Sequence, residues 1–194
     1  MWAVVFLVVL VWSGIEPKDQ FTWLLEAGPA MIGAIILVLT YKRFPLTPLL
    51  YFFILVHCIV LMVGSHYTYA EVPYSEGWFG SERNNYDKLG HLVQGFVPAL
   101  IAREILIRKQ AVNGERWLGF IVVSICLAFS AFYELIEWWV ALATGENAEA
   151  FLGTQGYVWD TQSDMGFALM GAVLAVVLLS RLHNRQIEQV SEGI

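Results

Sequence analysis

Charged side chains are scarce in this chain: Asp, Glu, Lys and Arg make up 14% of its 194 residues. Soluble domains contain about 25% charged residues. Hydrophobic residues account for 58%, and the mean hydropathy is +0.61. This balance excludes an ordinary soluble domain and predicts an integral membrane protein, because the apolar residues form runs long enough to cross a bilayer. The net charge of -6, without a basic patch, predicts no nucleic-acid partner.

Cysteine is rare in this chain, and the common short catalytic motifs are absent from it. The two cysteines, Cys58 and Cys126, lie in separate apolar runs, so we expect packing residues and no disulfide framework. The chain contains no G-x-S-x-G, H-E-x-x-H or C-x-x-C element and no nucleotide-binding glycine loop. The basic and histidine-containing elements of type 2 phosphatidic acid phosphatases are missing as well. Serine hydrolases, zinc proteases of that type, nucleotide-binding proteins and dithiol enzymes therefore have no support in the sequence.

The apolar runs predict an all-α, polytopic membrane helix bundle with six transmembrane helices in a single domain, residues 1–194. The predicted spans cover residues 2–15, 23–41, 48–67, 88–107, 117–143 and 160–182. Most Lys and Arg residues lie on one side of the membrane if both termini are cytoplasmic, as expected for short cytoplasmic loops. The opposite loops are acidic and flanked by Trp residues. We therefore expect a multi-pass protein of the bacterial inner membrane with both termini in the cytoplasm.

Ionisable residues in or next to these spans are concentrated near the extracytoplasmic face. A rise of about 1.5 Å per residue along each helix places eight of them at one depth: Glu26, His66, Asp87, His91, Glu134, Glu137, Asp160 and Asp164. A charged side chain at membrane depth costs about 2.5 to 3.5 kcal/mol. These side chains are therefore expected to face one another, water, protons or a cation.

Their types and spacing predict a divalent-metal site. Imidazole and carboxylate together are the ligands of zinc, manganese or iron, whereas oxygen ligands alone suit magnesium or calcium. Helical spacing places the candidate residues on shared faces. The predicted ligands are Asp87, His91, Glu134, Glu137, Asp160 and Asp164. Glu134 and Glu137 are also the candidate catalytic residues, because either could act as a general base toward a metal-bound water.

Structural interpretations of the same residues remain open. Asp87 and Asp160 could each cap the start of a helix. Glu134 and Glu137 could pair with Lys88 or with Arg83 and so hold helices together.

Other polar residues and glycines in the spans have structural interpretations. Close helix packing is expected at four glycines: Gly90, Gly95, Gly166 and Gly171. His57 is interpreted as a packing histidine, and His183, which follows the last predicted span, as solvated. Arg103 and Glu104 are expected to snorkel or to pair at the cytoplasmic interface.

Three segments resemble the motif blocks of bacterial inner-membrane proteins of the YjdF type: YDKLGHLVQGFVPALIARE (86–104), FYELIEWW (132–139) and FLGTQGYVWDTQSDM (151–165). Their order and the span pattern match over nearly the whole chain. The Asp-Lys-x-x-His helix entry is more remotely similar to VanZ-like membrane proteins. The resemblance implies a multi-pass architecture without a particular activity, and it adds Lys88, Gln94, Gln155 and Gln162 to the polar motif residues. With Glu26 and His66, these four form the predicted supporting polar set.

Three functions remain open. The first is a metal-dependent membrane hydrolase or transferase acting on a lipid-type substrate, which predicts a lateral opening beside the acids. The second is a small ion- or proton-coupled transporter, which predicts a further polar vestibule at the cytoplasmic side, with Arg103, Glu104 and His57 as its candidate residues. The third is a structural or regulatory protein whose polar residues only fix helix packing. It predicts that the acids form charge-neutralising pairs with Lys88 and that no metal is bound. Membrane lipids are the expected partners, and the oligomeric state is left open.

Overall fold

The computed structural model describes residues 1–75, 83–144 and 155–192. Within these ranges the chain folds into helices and contains no β-strand, which confirms the predicted all-α class for the described residues. The helices are α1 (Trp2–Ser13), α2 (Gln20–Thr40), α3 (Pro48–His66), α4 (Tyr86–Arg108), α5 (Glu115–Thr144) and α6 (Asp160–Glu192).

Five of these helices, α2 to α6, are long and apolar enough to cross a membrane. Helix α6 has 33 residues, or about 50 Å at 1.5 Å per residue, and so exceeds a hydrocarbon core of about 30 Å. It continues well beyond the predicted end at residue 182. Helix α1 has 12 residues, or about 18 Å. It is shorter than the roughly 20 residues that a transmembrane helix usually needs.

The helices begin where the sequence provides caps. The Asp19 carboxylate accepts a hydrogen bond from the Thr22 backbone N–H at 2.6 Å and so caps α2. Thr47 caps α3 in the same way through the Leu50 N–H. At α4 the capping position is Asn85. The interpretation of Asp87 as the cap is therefore wrong, and its carboxylate lies in the first turn, where the helix dipole favours negative charge.

Helix α4 is central and packs against α3, α5 and α6, most extensively against α6. Two glycines permit this contact. A Cβ atom at Gly95 would overlap the backbone carbonyl of Ala168, and one at Gly171 would overlap that of Leu92. The backbones of α4 and α6 therefore touch directly, as in other membrane helix pairs built on small residues. By contrast, a Cβ atom at Gly166 would meet nothing within 4 Å.

Helix α1 runs parallel to α3 and lies beside most of its length. The Trp2 indole N–H donates to the Tyr51 carbonyl at 2.8 Å near the start of α3. At the other end, the His66 Nδ1–H donates to the Ser13 carbonyl at 3.0 Å. Helix α1 therefore reaches from one end of α3 to the other despite its short length.

The middle of the bundle is an apolar layer. Its buried side chains come from α3, α4, α5 and α6: Ile54, Cys58, Val97, Ala99, Leu100, Val122, Cys126, Ala172 and Ala175. Both cysteines are buried and free, as expected for packing residues. Polar side chains are buried on either side of this layer and form two separate groups. The first lies where α4 and α6 begin, and the second where α4 ends.

Candidate metal centre

The first group, which we call the acidic cluster, consists of Glu26, Asp87, His91, Glu134, Glu137, Asp160 and Asp164. His91 is at its centre and only 6% exposed. Its Nδ1–H donates to Oε1 of Gln94, one turn further along α4, at 2.8 Å. Its Nε2 lies 3.4 Å from Oδ1 of Asp87, one turn earlier. The bond to Gln94 thus orients the imidazole through Nδ1 and leaves Nε2 facing the Asp87 carboxylate, and such a hydrogen bond at the other ring nitrogen is common in histidines that bind metals.

Helix α5 brings two carboxylates to one side of the imidazole. Glu134 is buried, and its Oε1 lies 4.0 Å from Nδ1 of His91. Glu137 is half-buried and follows three residues later on the same face. One ligand atom from each of His91, Glu134 and Glu137 lies within 4.8 Å of the others. These three residues form a first potential ligand set.

Helix α6 contributes a second set. Asp164 is 3% exposed, and one ligand atom from each of Asp87, His91 and Asp164 lies within 4.8 Å of the others. His91 belongs to both sets, so the sets adjoin across the imidazole. Together they contain five of the six residues that the sequence predicts as ligands.

The sixth predicted ligand, Asp160, lies beside these sets. It is the first residue of α6, and its Oδ1 accepts a hydrogen bond from the Arg83 guanidinium at 2.7 Å. Arg83 thus bonds Asp160, and Lys88 lies over the rings of Tyr157 and Phe167. The interpretation in which Glu134 and Glu137 pair with Lys88 or Arg83 receives no support from these contacts.

The acidic cluster has an excess of negative charge and incomplete hydrogen bonding. Glu134 and Asp164 are 8% and 3% exposed. Within the part of the chain that the structure describes, Oε1 of Glu134 and Oδ1 of Asp164 have no hydrogen-bond partner. The hydroxyl of Ser130, one turn before Glu134, also has none. Desolvating an ionised carboxylate costs several kcal/mol unless a counter-charge or a proton neutralises it. The arrangement can therefore hold a cation, protons or both.

The supporting residues occupy different places. Gln94 contacts His91 as described. Glu26 is contributed by α2, and its Oε2 accepts a hydrogen bond from the Tyr133 hydroxyl at 3.4 Å. The Tyr133 ring packs edge-on to His91, with 6.5 Å between the ring centres. These residues form the side of the acidic cluster that faces α2.

Three of the supporting residues lie away from the ligand sets. His66 faces α1 and packs against the ring of Trp12 at 4.8 Å. Gln162 is exposed. Gln155 exchanges two hydrogen bonds with the backbone of Asn84, at 2.9 and 3.1 Å. It thereby ties the segment before α6 to the start of α4, which positions the two helices that supply Asp87, His91 and Asp164.

Comparison with known proteins identifies the family. The family described as "Predicted membrane protein (DUF2238)" matches residues 1–185. The chain belongs to this family. A similar relative is the "Inner membrane protein YjdF" of Escherichia coli (strain K12). It is 52% identical over 190 residues, which cover 96% of this chain and 91% of the relative. No solved structure matches the chain.

These findings confirm the resemblance to YjdF-type proteins. Together with the five long apolar helices, they establish a multi-pass protein of the bacterial inner membrane.

The second polar group, which we call the Glu104 network, consists of Thr47, Arg103, Glu104, Arg108, His183 and Asn184. Glu104 is 0% exposed and accepts from the Thr47 backbone N–H at 3.1 Å and hydroxyl at 2.8 Å. It also accepts from Arg108 at 3.0 Å and from Nε2 of His183 at 3.0 Å. Both of its carboxylate oxygens are therefore bonded.

His183 belongs to this network, and the prediction that it is solvated is wrong. The residue is 0% exposed, and its Nδ1 faces the Arg103 guanidinium at 3.5 Å. The hydropathy of α6 declines before this residue, but the buried stripe continues through His183 to Ile187. Following the 3.6-residue period beyond the apolar run would have placed His183 inside the bundle.

Proposed function

We propose that the chain binds a divalent metal ion at the acidic cluster and that it is a membrane-embedded hydrolase or transferase acting on a lipid-type substrate. The observation that carries this proposal is a pair of buried carboxylate oxygens, on Glu134 and Asp164, that have no hydrogen-bond partners in the described ranges. They flank a histidine that belongs to both potential ligand sets. A divalent cation would neutralise the acids and would use the imidazole as a ligand.

The spacing of the side chains favours a metal ion over protons alone. Ligand atoms lie about 2.0 to 2.2 Å from a zinc-sized ion, so that they are about 3 to 4 Å from one another. The ligand atoms in each set lie within 4.8 Å of one another, so small side-chain movements suffice to close either set. The two sets share His91, and this arrangement would suit one ion that binds Nε2, the nitrogen not bonded to Gln94, and draws its carboxylate ligands from both sets.

The residues divide into distinct roles in this proposal. A bound ion would activate water and polarise a phosphoryl or carbonyl oxygen. Glu134 is buried and well placed as a ligand, whereas the half-buried Glu137 lies at the margin and is the better candidate for the general base. Gln94 and Tyr133 hold the imidazole in place from two directions.

The apolar layer between the acidic cluster and the Glu104 network weighs against the transporter hypothesis. His91 and Glu104 are separated by about 20 Å along α4 at 1.5 Å per residue. Most buried α4 residues between them are small or apolar: Gly95, Val97, Ala99 and Leu100. His57 lies near the middle of α3, but its buried Nε2 has no hydrogen-bond partner. Among the described residues, therefore, no polar chain links the acidic cluster to the opposite end.

We infer that α1 is a sixth crossing and that both termini are cytoplasmic. The contacts of Trp2 with Tyr51 and of Ser13 with His66 support the crossing, since they place α1 along most of α3. The concentration of Lys and Arg residues on one side supports the orientation. A short span can be accommodated by local thinning of the bilayer. In intact spheroplasts, a membrane-impermeant thiol reagent should label Glu71→Cys but not Lys109→Cys. The reverse pattern would invert the proposed orientation.

Elemental analysis of the purified protein tests the metal site. The wild type should contain about one divalent ion or more per chain, since the acidic cluster supplies enough ligands for a full shell. Glu134→Gln and Asp164→Asn should each lose most of it. Glu71→Gln is a matched control, because Glu71 pairs with Lys18 at the surface, and it should keep the metal. A wild type without stoichiometric metal would rule out the proposal.

A further inference from the structure

Lys88 occupies an unusual position for a cation in a layer rich in acids. Its Nζ lies 5.4 Å from the centre of the Tyr157 ring and 5.8 Å from that of Phe167. Among the described residues, no carboxylate lies within ion-pair distance of it, although Asp87 is its neighbour in sequence. The helical turn directs Asp87 towards His91 and Lys88 towards α6. The Lys88 charge is therefore left for a group that is not part of the acidic cluster.

A second cation lies beside the same aromatic ring. The Arg83 guanidinium is 5.2 Å from the centre of the Tyr157 ring and bonds Asp160 at 2.7 Å. Asp160 thus balances the charge of Arg83, while that of Lys88 is not balanced in this way. Two like charges around one ring repel each other, and an anion beside the ring would relieve this repulsion.

The surroundings of Lys88 open toward the membrane. Tyr157, Val158 and Trp159 are 37%, 88% and 62% exposed, which is typical of an interfacial aromatic segment. Along α6, Met170 and Leu174 follow Phe167 at i+3 and i+7 and are exposed as well. They form an apolar strip on the face below Lys88, along which an acyl chain could lie.

The position of Lys88 also relates it to the candidate metal centre. Asp164 and Phe167 are three residues apart on α6 and share a face of the helix. A group held by Lys88 over Phe167 is therefore about one helical turn from a predicted metal ligand. Acids alone would repel an anion there, whereas a metal ion and a lysine would both attract it.

We propose that Lys88 binds the phosphate head group of an anionic lipid at the margin of the acidic cluster, with the acyl chains along Phe167, Met170 and Leu174. This inference rests on the proposed metal-dependent function and specifies its substrate class. Lys88 acts as a binding residue. Its charge fixes the head group, and the apolar strip distinguishes a lipid from a free anion.

Binding of a short-chain lipid to the delipidated, purified full chain tests this inference. Dihexanoyl phosphatidic acid is the probe, the phosphatidylcholine of the same chain length is the zwitterionic comparison, and inorganic phosphate is the soluble one. Native mass spectrometry or calorimetry gives the dissociation constants. The wild type should prefer phosphatidic acid to both of the others. Lys88→Gln should weaken its binding by about tenfold, the loss expected for one charge-assisted contact.

Two further variants guard against a merely structural effect. Lys88→Arg should retain most of the phosphatidic acid affinity. Lys109→Gln should change nothing, although Lys109 also lies over an aromatic ring, that of Phe44 at 5.6 Å, at the opposite end of the bundle. Unchanged phosphatidic acid binding in Lys88→Gln would overturn the inference. Inorganic phosphate that binds as tightly as the lipid would overturn it too.

Metal content separates this inference from the proposed function. Lys88→Gln should retain the metal of the wild type. If the wild type holds metal but shows no preference for phosphatidic acid, the lipid inference alone fails. If it holds no metal but binds phosphatidic acid through Lys88, the metal proposal fails while the head-group site stands.

Discussion

The bundle buries carboxylates at both ends, and the hydrogen bonding of these carboxylates differs between the two ends. In the Glu104 network, the carboxylate of Glu104 accepts from Thr47, Arg108 and His183, and both of its oxygens are bonded. In the acidic cluster, Glu134 and Asp164 are also buried, yet each keeps one oxygen without a hydrogen-bond partner among the described residues. Two arginines accompany one acid in the first group, whereas several acids surround one histidine in the second.

This difference separates a packing role from a binding role. The Glu104 network joins the α2–α3 connection, the end of α4 and the extension of α6, and it leaves no oxygen of the Glu104 carboxylate open to a ligand. An unsaturated cluster of acids has a position to fill, and it costs stability until a cation or protons fill it. Burial of a carboxylate alone therefore says little about its function. Whether its oxygens have hydrogen-bond partners says more.

The largest expected effect comes from removing the central carboxylate at each end. Glu104→Gln should destabilise the protein by about 3 to 5 kcal/mol, because it breaks a buried, hydrogen-bonded pair and strands the charge of Arg108. Glu134→Gln, the same change at the other end, should leave the metal-free protein as stable as the wild type or more so. Thermal unfolding in detergent, with chelator present, measures both. Equal losses in the two variants would remove the distinction between the ends.

Metal should stabilise the protein only through the acidic cluster. At a free ion concentration of about 100 times Kd, binding adds about 2.7 kcal/mol. Chelation should therefore lower the unfolding temperature of the wild type but not that of Glu134→Gln. The surface control Glu71→Gln should respond as the wild type does. A stabilising effect that persists in Glu134→Gln would place the ion elsewhere.

The direct contact of α4 and α6 lies between the two ends and should tolerate no added methyl group. Gly171→Ala forces its Cβ into the backbone of α4 and should cost about 1 to 3 kcal/mol by overpacking. It should also reduce metal content, since α4 and α6 supply the ligands of the Asp87 set. Gly166→Ala, on the same helix but with open space around it, should be neutral in both measurements. If it lowers the unfolding temperature as much as Gly171→Ala does, the steric explanation is wrong.

A third carboxylate, outside the spans, provides the smallest effect. Asp19 caps α2, and the Thr22 backbone N–H holds the pKa of this carboxyl below its usual value. A lowered folded-state pKa stabilises the protein at pH values above the unfolded pKa, and this contribution is lost as the pH falls through the folded value. Asp19→Ala should cost about 1 kcal/mol near neutral pH and less in acid. Asp19→Asn should retain much of the cap and lack this pH dependence. A cost for Asp19→Ala that does not change with pH would contradict the assignment.

The sequence was informative about the helices and about contacts within them. Long apolar runs predicted α2 to α5 closely, and the i, i+4 spacing of Asp87 and His91 predicted their proximity. The close-packing glycines were predicted only in part. Gly95 and Gly171 meet backbone, Gly90 meets the Tyr69 ring, and Gly166 meets nothing. The depth of a residue in the membrane follows from its position along the helix. The side chains that it contacts depend on how the helix is rotated, and neighbouring helices set that rotation.

The same limit explains the remaining differences. His66 lies at the predicted depth but turns toward α1, because the rotation of α3 is set by packing against α1, α2 and α4. Asp160 bonds Arg83, which is distant in sequence and comes from a connecting segment. His183 was predicted to be solvated because the apolar run of α6 ends before this residue, whereas the buried face of the helix continues through His183 to Ile187. Such contacts between elements are properties of the assembled bundle.

X-ray absorption spectroscopy at the edge of the bound metal tests the central claim most directly. The account predicts a mixed shell in the wild type, with carboxylate oxygens and one imidazole nitrogen. The nitrogen should disappear in His91→Gln and remain in His66→Gln, which changes a histidine that faces α1 at the same end of the bundle. A shell of oxygen alone in the wild type, or a nitrogen that survives His91→Gln, would contradict a cation held between His91 and the carboxylates of the acidic cluster.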